Sequence, residues 1–274
     1  MWGRNTYGQC GRSPNGNISS QFLFSPYRLT FDSMKQFKSV DCGDQHTALV
    51  TPSGDLYTLG DNSEGQLGLG IDYKTFTDKP TLVTGVLDRI QSVACGYRHT
   101  LVLTERGQVY GMGSNRRYEL GMQPQTPKCL APQRIQALDI YNVTKVKAGS
   151  FSAALTSEQE ILVWGTGEFG QVQSPIKICT EGVRFKDISL GKGRESFGVA
   201  LDTDGFVYSW GDNQTGQLGQ GDFSVRKLPT KINQLRKKKV CQVQCGAGFV
   251  AALGKDVPEG YQKPKKTKRS KQID

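Results

Sequence analysis

The stretch Trp210-Gly-Asp-Asn-Gln-Thr-Gly-Gln-Leu-Gly219 decides the fold, because versions of it occur at four other places in the chain. Those copies begin at Trp2, Leu59, Met112 and Trp164. A second pattern alternates with the first, and its clearest copy is Val93-Ala-Cys-Gly-Tyr-Arg-His-Thr-Leu-Val-Leu103. Self-similarity at a spacing of about 50 residues is the sequence signature of a repeat architecture.

Each repeat unit has the composition of short strands joined by tight turns. In one copy, the apolar stretch 100–104 is followed by the turn Glu105-Arg-Gly107 and a second strand over 108–113. Glycine adopts turn conformations that other residues resist. Four strands in a unit of about 50 residues are typical of a propeller blade. The sequence therefore predicts an all-β, β-propeller-type repeat protein with about five four-stranded blades.

The repeated residues are also similar to a known family. Trp210–Gly219 and Cys95–Gly113 resemble the regulator of chromosome condensation repeat, and the resemblance covers residues 1–254. It implies a β-propeller, which in this family usually has seven blades. Some members exchange nucleotide on a Ran-type small GTPase while bound to nucleosomes, and others are adaptors or assembly factors.

This sequence departs from the family pattern in its number of units and at its ends. It opens directly on Trp2-Gly3, and the last unit stops at Gly254 without another strand of the Val-Tyr-x-Trp-Gly type. A small closed ring, an open arc and a chain whose ends a partner covers are all compatible with this pattern. An open arc exposes strand edges, which favours partner binding. We assign residues 1–254 to the propeller and 255–274 to a basic, flexible C-terminal tail.

Residues that could suggest catalysis or ligand binding are explained by the repeat. His46 and His99 follow the repeat glycine by three residues, where other copies have Ser152 and Phe249. This position predicts an imidazole that caps the turn by a hydrogen bond to backbone. The segment 165–170 fits the dinucleotide fingerprint, but no helix-forming run follows it. We predict no catalytic residue, no cofactor and no metal site.

The cysteines and the lack of long apolar stretches indicate in which cellular compartment the chain is expected. The sequence has seven cysteines, an odd number, and no apolar run like that of a signal peptide, which argues for reduced thiols. Cys42, Cys95 and Cys245 precede the repeat glycine where other copies have Ala148 and Leu190, so they are expected to fill space. No stretch approaches the roughly 18 apolar residues of a membrane span. We expect an intracellular protein with no membrane partner.

Positive charge is the feature that points to partners. The net charge is +10. Basic clusters suit acidic protein surfaces such as tubulin tails, or nucleic acid. The segment 265–269 resembles a nuclear import signal. The candidate partner-binding residues are Arg236, Lys237, Lys238, Lys239, Lys265, Lys266, Lys268 and Arg269.

These observations favour a non-enzymatic scaffold or adaptor that docks within a larger multi-subunit intracellular assembly, cytoskeletal or ciliary in type. One alternative is a guanine-nucleotide exchange factor, or a binder, for a Ran-type small GTPase. Such a factor acts by binding the nucleotide-free GTPase, so its sequence needs no catalytic motif. Another alternative is binding of chromatin or RNA through the basic tail. The expected compartment is the cytoplasm, with the cytoskeleton or cilium as the site and the nucleus as the alternative.

Overall fold

The computed structural model describes residues 1–14, 21–29, 36–71, 73–122, 126–178 and 180–256. These ranges are nearly all β-structure. The strands are β1 (Gly3–Arg4), β2 (Phe22–Leu23), β3 (Ser39–Cys42), β4 (His46–Val50), β5 (Leu56–Asp61), β6 (Phe76–Leu82), β7 (Ile90–Cys95), β8 (His99–Thr104), β9 (Val109–Ser114), β10 (Lys128–Arg134), β11 (Val143–Ala148), β12 (Ser152–Thr156), β13 (Ile161–Gly167), β14 (Gly170–Lys177), β15 (Phe185–Leu190), β16 (Phe197–Asp202), β17 (Val207–Gly211), β18 (Arg226–Lys231), β19 (Lys238–Cys245) and β20 (Val250–Asp256). Two short 3-10 helices span Gln136–Leu138 and Asn233–Leu235.

The strands form six antiparallel sheets in chain order. Strands β3–β6, β7–β10, β11–β14 and β15–β18 make four four-stranded sheets, in which each strand pairs with the next along the chain. Strands β1–β2 and β19–β20 make a two-stranded half-sheet at each end. No ladder between described residues joins the two half-sheets, so hydrogen bonds do not close the ring. The predicted all-β propeller is confirmed, with the repeats distributed over four complete sheets and two halves.

Neighbouring sheets pack face to face through the apolar side chains of the repeat. The second strand of each complete sheet, such as His99–Thr104, is buried along its whole length. Successive first strands lie side by side, and their turns are linked by backbone hydrogen bonds: the Tyr97 N–H donates to the Gly149 carbonyl at 2.8 Å, and the Lys192 N–H donates to the Gly246 carbonyl at 3.0 Å. The first strands therefore surround the axis of the propeller.

A buried asparagine holds the turn between the third and fourth strands. In the last complete sheet, Asn213 Oδ1 accepts from the Leu218 N–H at 3.0 Å, and its Nδ2 donates to the Asp222 carbonyl at 2.8 Å. The copy that begins at Trp164 has Gly167 at this position. Without the amide, residues 167–170 form the tight turn of the β13–β14 hairpin. The segment that matched the dinucleotide fingerprint is thus part of a β-hairpin.

Replacing this amide should destabilise the fold measurably. Asn213→Ala removes a fully buried side chain and leaves the Leu218 N–H without its acceptor. We expect the free energy of unfolding to fall by about 1–3 kcal/mol, the cost of an unsatisfied buried polar group. Urea denaturation checks this, with Asn142→Ala at an exposed position as the control. Equal stability of the two variants would contradict the assigned role of the amide.

The interpretation of the histidine position needs two corrections. The Gly149 N–H bonds to the Phe151 carbonyl, as the Gly43 N–H does to that of His46, so Phe151 and not Ser152 is the counterpart of the histidines. This turn is one residue shorter than those that begin at Gly43, Gly96 and Gly246. Moreover, the imidazoles do not cap the turn through backbone: His46 Nε2 lies 2.9 Å from Thr100 Oγ1, a side chain of the next sheet. The histidines therefore connect neighbouring sheets.

The repeat cysteines differ in exposure. Cys95 is buried and fills space as expected, whereas Cys245 is partly exposed and Cys42 is exposed. Cys42 lies on β3, beside which the described chain provides only the half-sheet β1–β2, so the space-filling interpretation is wrong there. The six cysteines in the described ranges are free thiols. Cys179 lies outside those ranges.

Candidate protein-binding face

One end of the propeller carries a patch of arginines and tyrosines. The turns from first to second strand and from third to fourth strand lie at this same end, because the strands alternate in direction. We call the patch the arginine face. It consists of Tyr97, Arg98, Arg116, Arg117, Tyr118 and Arg194.

The first part of the arginine face is centred on Tyr97. The guanidinium of Arg98 lies 5.6 Å from the centroid of the Tyr97 ring, a cation–π distance. Arg194, from the β15–β16 turn, directs its Nε to the Tyr97 hydroxyl at 3.5 Å. The two arginines are exposed. The tyrosine therefore positions two cationic groups that remain accessible.

The second part of the face is the turn between β9 and β10. It adjoins Arg98, whose carbonyl accepts from the Ser114 N–H at 2.9 Å. Arg116 lies 3.6 Å from the Glu64 carboxylate, and Arg117 Nη2 donates to the Thr166 carbonyl at 3.4 Å. Both arginines are exposed. Since these partners belong to the two flanking repeats, the face extends across three neighbouring units.

Tyr118 is held in a backbone conformation that is unusual for its residue type. Its φ is 61°, and the equivalent positions of three other copies have Gly8, Gly65 and Gly216 with φ of 76°, 85° and 77°. A side chain in this region costs on the order of 1 kcal/mol or more. Strain of this kind clusters at binding surfaces. The face therefore has a tyrosine at a turn position where the backbone conformation favours glycine.

A lysine fixes the centre of the propeller beneath this face. Lys192 Nζ lies 2.8 Å from Asp41 Oδ2 and also donates to the Cys95 carbonyl. The same Asp41 oxygen accepts from the Cys95 N–H at 2.7 Å. Lys192 follows β15, whereas Asp41 and Cys95 lie on β3 and β7. The contact therefore connects the end of β15, the first strand of the fourth complete sheet, to the first strands of the first and second complete sheets.

The basic cluster predicted from sequence lies elsewhere. Arg236, Lys237, Lys238 and Lys239 are exposed at the opposite end, where the chain enters β19. Lys238 pairs with the carboxylate of Asp256 in β20. The structure does not bring this cluster to the arginine face. Lys265, Lys266, Lys268 and Arg269 lie outside the described residues, and partner binding by either set stays a prediction.

Two absences concern the part of the chain that the structure describes. It contains no group of three or more His, Cys, Asp or Glu side chains that could hold a metal ion. No helix in the same ranges has the length and apolar character needed to cross a membrane.

Sequence reasoning missed the arginine face, because its residues occupy positions at which the repeat copies differ. Arg98 replaces Gln45 of the preceding copy, and Arg116 and Arg117 replace Ser63 and Glu64. A signal was available: three arginines fall at variable turn positions of one unit. Recognising it requires knowing that both turns lie at the same end of the sheet.

Known proteins have sequences and a fold similar to those of this chain. The profile described as RCC1-like domain matches residues 1–259. The human E3 ubiquitin-protein ligase HERC2 is 31% identical over 93% of this chain and 5% of its own length. The mouse secretion-regulating guanine nucleotide exchange factor is 36% identical over 89% of this chain and 55% of its own. The crystal structure of human WBSCR16 has a TM-score of 0.81 at 25% identity, covering 92% of this chain and 66% of that one. The chain thus spans less than two thirds of the length of each.

Proposed function

The chain belongs to the RCC1-like domain family, and from that premise we propose that it is a non-enzymatic, protein-binding propeller that docks through its arginine face onto an acidic surface of a larger assembly. The single observation that carries the proposal is the continuous patch of four exposed arginines and two tyrosines at one end of the sheets. Arginine and tyrosine are enriched at protein interfaces and at their energetic centres.

The chemistry of the face supports an acidic partner. A guanidinium presents a planar fork of donors that matches a carboxylate with two parallel hydrogen bonds. Arg98 and Arg194 are preoriented by the Tyr97 ring and hydroxyl, so less conformational freedom is lost on binding. The arginines also steer an acidic partner during encounter, Arg116 least, because the Glu64 carboxylate lies 3.6 Å from it. These properties suit protein docking better than a small-molecule reaction.

A second function is favoured by one comparison. The mouse relative that is 36% identical is a guanine nucleotide exchange factor by name. An exchange factor works by binding the GTPase, so an exposed, preoriented face would serve it as well. The candidate partner would then be a small GTPase, and exchange would be measurable directly.

Charge reversal on the face tests the proposal. We expect Arg98→Glu/Arg117→Glu to weaken binding of the partner assembly by about tenfold or more, because paired charges become repulsive. The measurement is quantitative mass spectrometry of proteins that co-purify with each variant. Arg236→Glu/Lys237→Glu is the matched control, since it makes the same charge change at exposed positions of the opposite end. Partners retained equally by both double variants would contradict the proposal.

Nucleotide exchange separates the two functions. Purified chain is added to a panel of small GTPases loaded with labelled GDP, and release is followed over time. The docking proposal predicts flat traces together with stoichiometric co-purification. Accelerated release from any member, abolished by Arg98→Glu/Arg117→Glu, would assign exchange activity to the face instead.

A further inference from the structure

One turn of the arginine face is longer than its counterparts. The Gly191 N–H donates to the carbonyl of Phe197, six residues on, whereas the Gly43 N–H donates to the carbonyl of His46, three residues on. The three additional residues belong to the segment Lys192-Gly-Arg-Glu195, which we call the axial turn. Because the first strands surround the axis of the propeller, the turns that follow them lie nearest to its centre.

The axial turn packs between the turns of two neighbouring sheets. On one side, Ser150 Oγ donates to the Glu195 carbonyl at 3.2 Å. On the other side, a Cβ at Gly193 would lie 2.9 Å from the Ala247 carbonyl oxygen, so the two backbones approach closely there. The backbone of the axial turn is therefore fixed by its neighbours, and its side chains extend from a defined position.

The side chain of Lys192 extends from the axial turn to the first two complete sheets. Its Nζ donates to Asp41 Oδ2 at 2.8 Å and to the Cys95 carbonyl at 2.5 Å. The same Asp41 oxygen accepts from the Cys95 N–H at 2.7 Å. Both the N–H and the carbonyl of Cys95 are therefore fixed by one cluster of charged groups.

Arg194 makes a second contact between the same two segments. Its Nε lies 3.5 Å from the Tyr97 hydroxyl. Arg194 follows Lys192 by two residues, and Tyr97 follows Cys95 by two residues. Two contacts fix the relative position of the segments, whereas one contact leaves them free to rotate. The Lys192 contact therefore determines where the Arg194 guanidinium lies relative to the Tyr97 side chain.

We propose that Lys192 is a positioning residue, which holds Arg194 against Tyr97 at the centre of the arginine face. An acidic side chain of the partner then binds to the Arg194 guanidinium, and this part of the proposal rests on the proposed function. Energetic hot spots lie near the centre of interfaces and are enriched in Arg and Tyr. The contact with Tyr97 uses Nε, so the two terminal nitrogens of the exposed guanidinium can take a carboxylate with two parallel hydrogen bonds.

The orientation of Arg194 matters more at this centre than net charge. The Tyr97 hydroxyl raises the pKa of Arg194 most, and the Asp44 and Glu195 carboxylates raise it further. These carboxylates offset part of the positive charge at the centre. A guanidinium that is already held in one orientation loses less conformational freedom on binding. Affinity should therefore depend on the contacts that hold Arg194, even when the net charge is unchanged.

A charge-neutral double variant tests the positioning role. Asp41→Asn/Lys192→Met, the clasp variant, removes the ion pair without changing the net charge and without leaving one partner unpaired. Hydrogen exchange over residues 95–98 and 192–196 should become faster by about tenfold or more, because the local contacts that oppose opening are lost. Exchange along β12 should stay within about twofold of the wild type.

The chain offers a matched control for the clasp variant. Asp78→Asn/Lys79→Met makes the same two substitutions on β6, away from the arginine face, and should exchange like the wild type. Unchanged exchange over 95–98 in the clasp variant would overturn the proposal. An equal increase along β12 would overturn it too, since that result indicates general destabilisation and not the loss of a local contact.

Binding is measured by fluorescence anisotropy with a fluorescein-labelled octaglutamate peptide. We expect saturable binding to the wild type and to the β6 control, and affinity lower by about fivefold or more for the clasp variant and for Arg194→Ala. If the clasp variant binds like the wild type while Arg98→Glu/Arg117→Glu does not bind, the present proposal fails and the proposed function stands. If the wild type does not bind but exchange over 95–98 is faster in the clasp variant, the acidic partner is contradicted and the positioning role of Lys192 is supported.

Discussion

Trp164→Ala is expected to lower the free energy of unfolding by about 3–5 kcal/mol, the usual loss for a large aromatic side chain in a core. The indole is fully buried between two sheets and donates to the Glu119 carbonyl at 2.8 Å. Truncation leaves a cavity and removes the donor from that carbonyl. It also uncovers Gly121, on which the ring packs.

The chain contains its own control for this prediction. Trp2 is the same residue type at the same repeat position, but it is 68% exposed beside the half-sheet. Trp2→Ala should therefore change stability by less than about 0.5 kcal/mol. Urea denaturation followed by circular dichroism measures both variants. Similar losses for the two would show that the sheets do not pack as described.

Acidification from pH 7 to pH 5 is expected to destabilise the protein through its two histidines. Burial lowers the pKa of His46 to about 4 and that of His99 to about 3, because the charged imidazolium is poorly solvated there. The unfolded chain binds these protons below about pH 6.5, whereas the folded chain does not. Stability therefore rises with pH in this window, and each histidine contributes a loss of about 2 kcal/mol by pH 5.

A phenylalanine variant isolates this effect. Phe151, Phe197 and Phe249 occupy the position of the histidines in the other repeats, so His46→Phe/His99→Phe keeps an aromatic ring that the fold accepts. The variant should lose most of the dependence of stability on pH between 7 and 5. Thermal unfolding of both proteins at several pH values measures this. An unchanged slope in the variant would assign the acid sensitivity to other groups.

The repeat made the fold predictable, because the same residues perform the same task in each copy. The apolar strand over 100–104, the turn that follows it and the strand predicted over 108–113 all form, as β8, the turn before β9, and β9. The resemblance to the regulator of chromosome condensation repeat is confirmed by the family profile. Local patterns of this kind are decided within one unit, so sequence reasoning captures them.

What sequence reasoning missed depends on contacts between units. One deleted residue before Phe151 shifts the histidine position, and the hydrogen bond of the Gly149 N–H to the Phe151 carbonyl reveals it. The histidine partners Thr100 and Ser152 lie in the next sheet, 54 and 53 residues away. The arginine face joins turns from separate repeats, so its residues are scattered in the sequence and contiguous only after folding.

Hydrogen exchange on the chain bound to its co-purified partner assembly tests the central claim most directly. If the arginine face is the docking surface, binding should slow exchange in the turns that contain residues 97–98, 115–118 and 192–195. The turns at the opposite end, including 236–239, should exchange at the rate of the free protein. Protection confined to that opposite end, with the arginine face unchanged, would contradict the account.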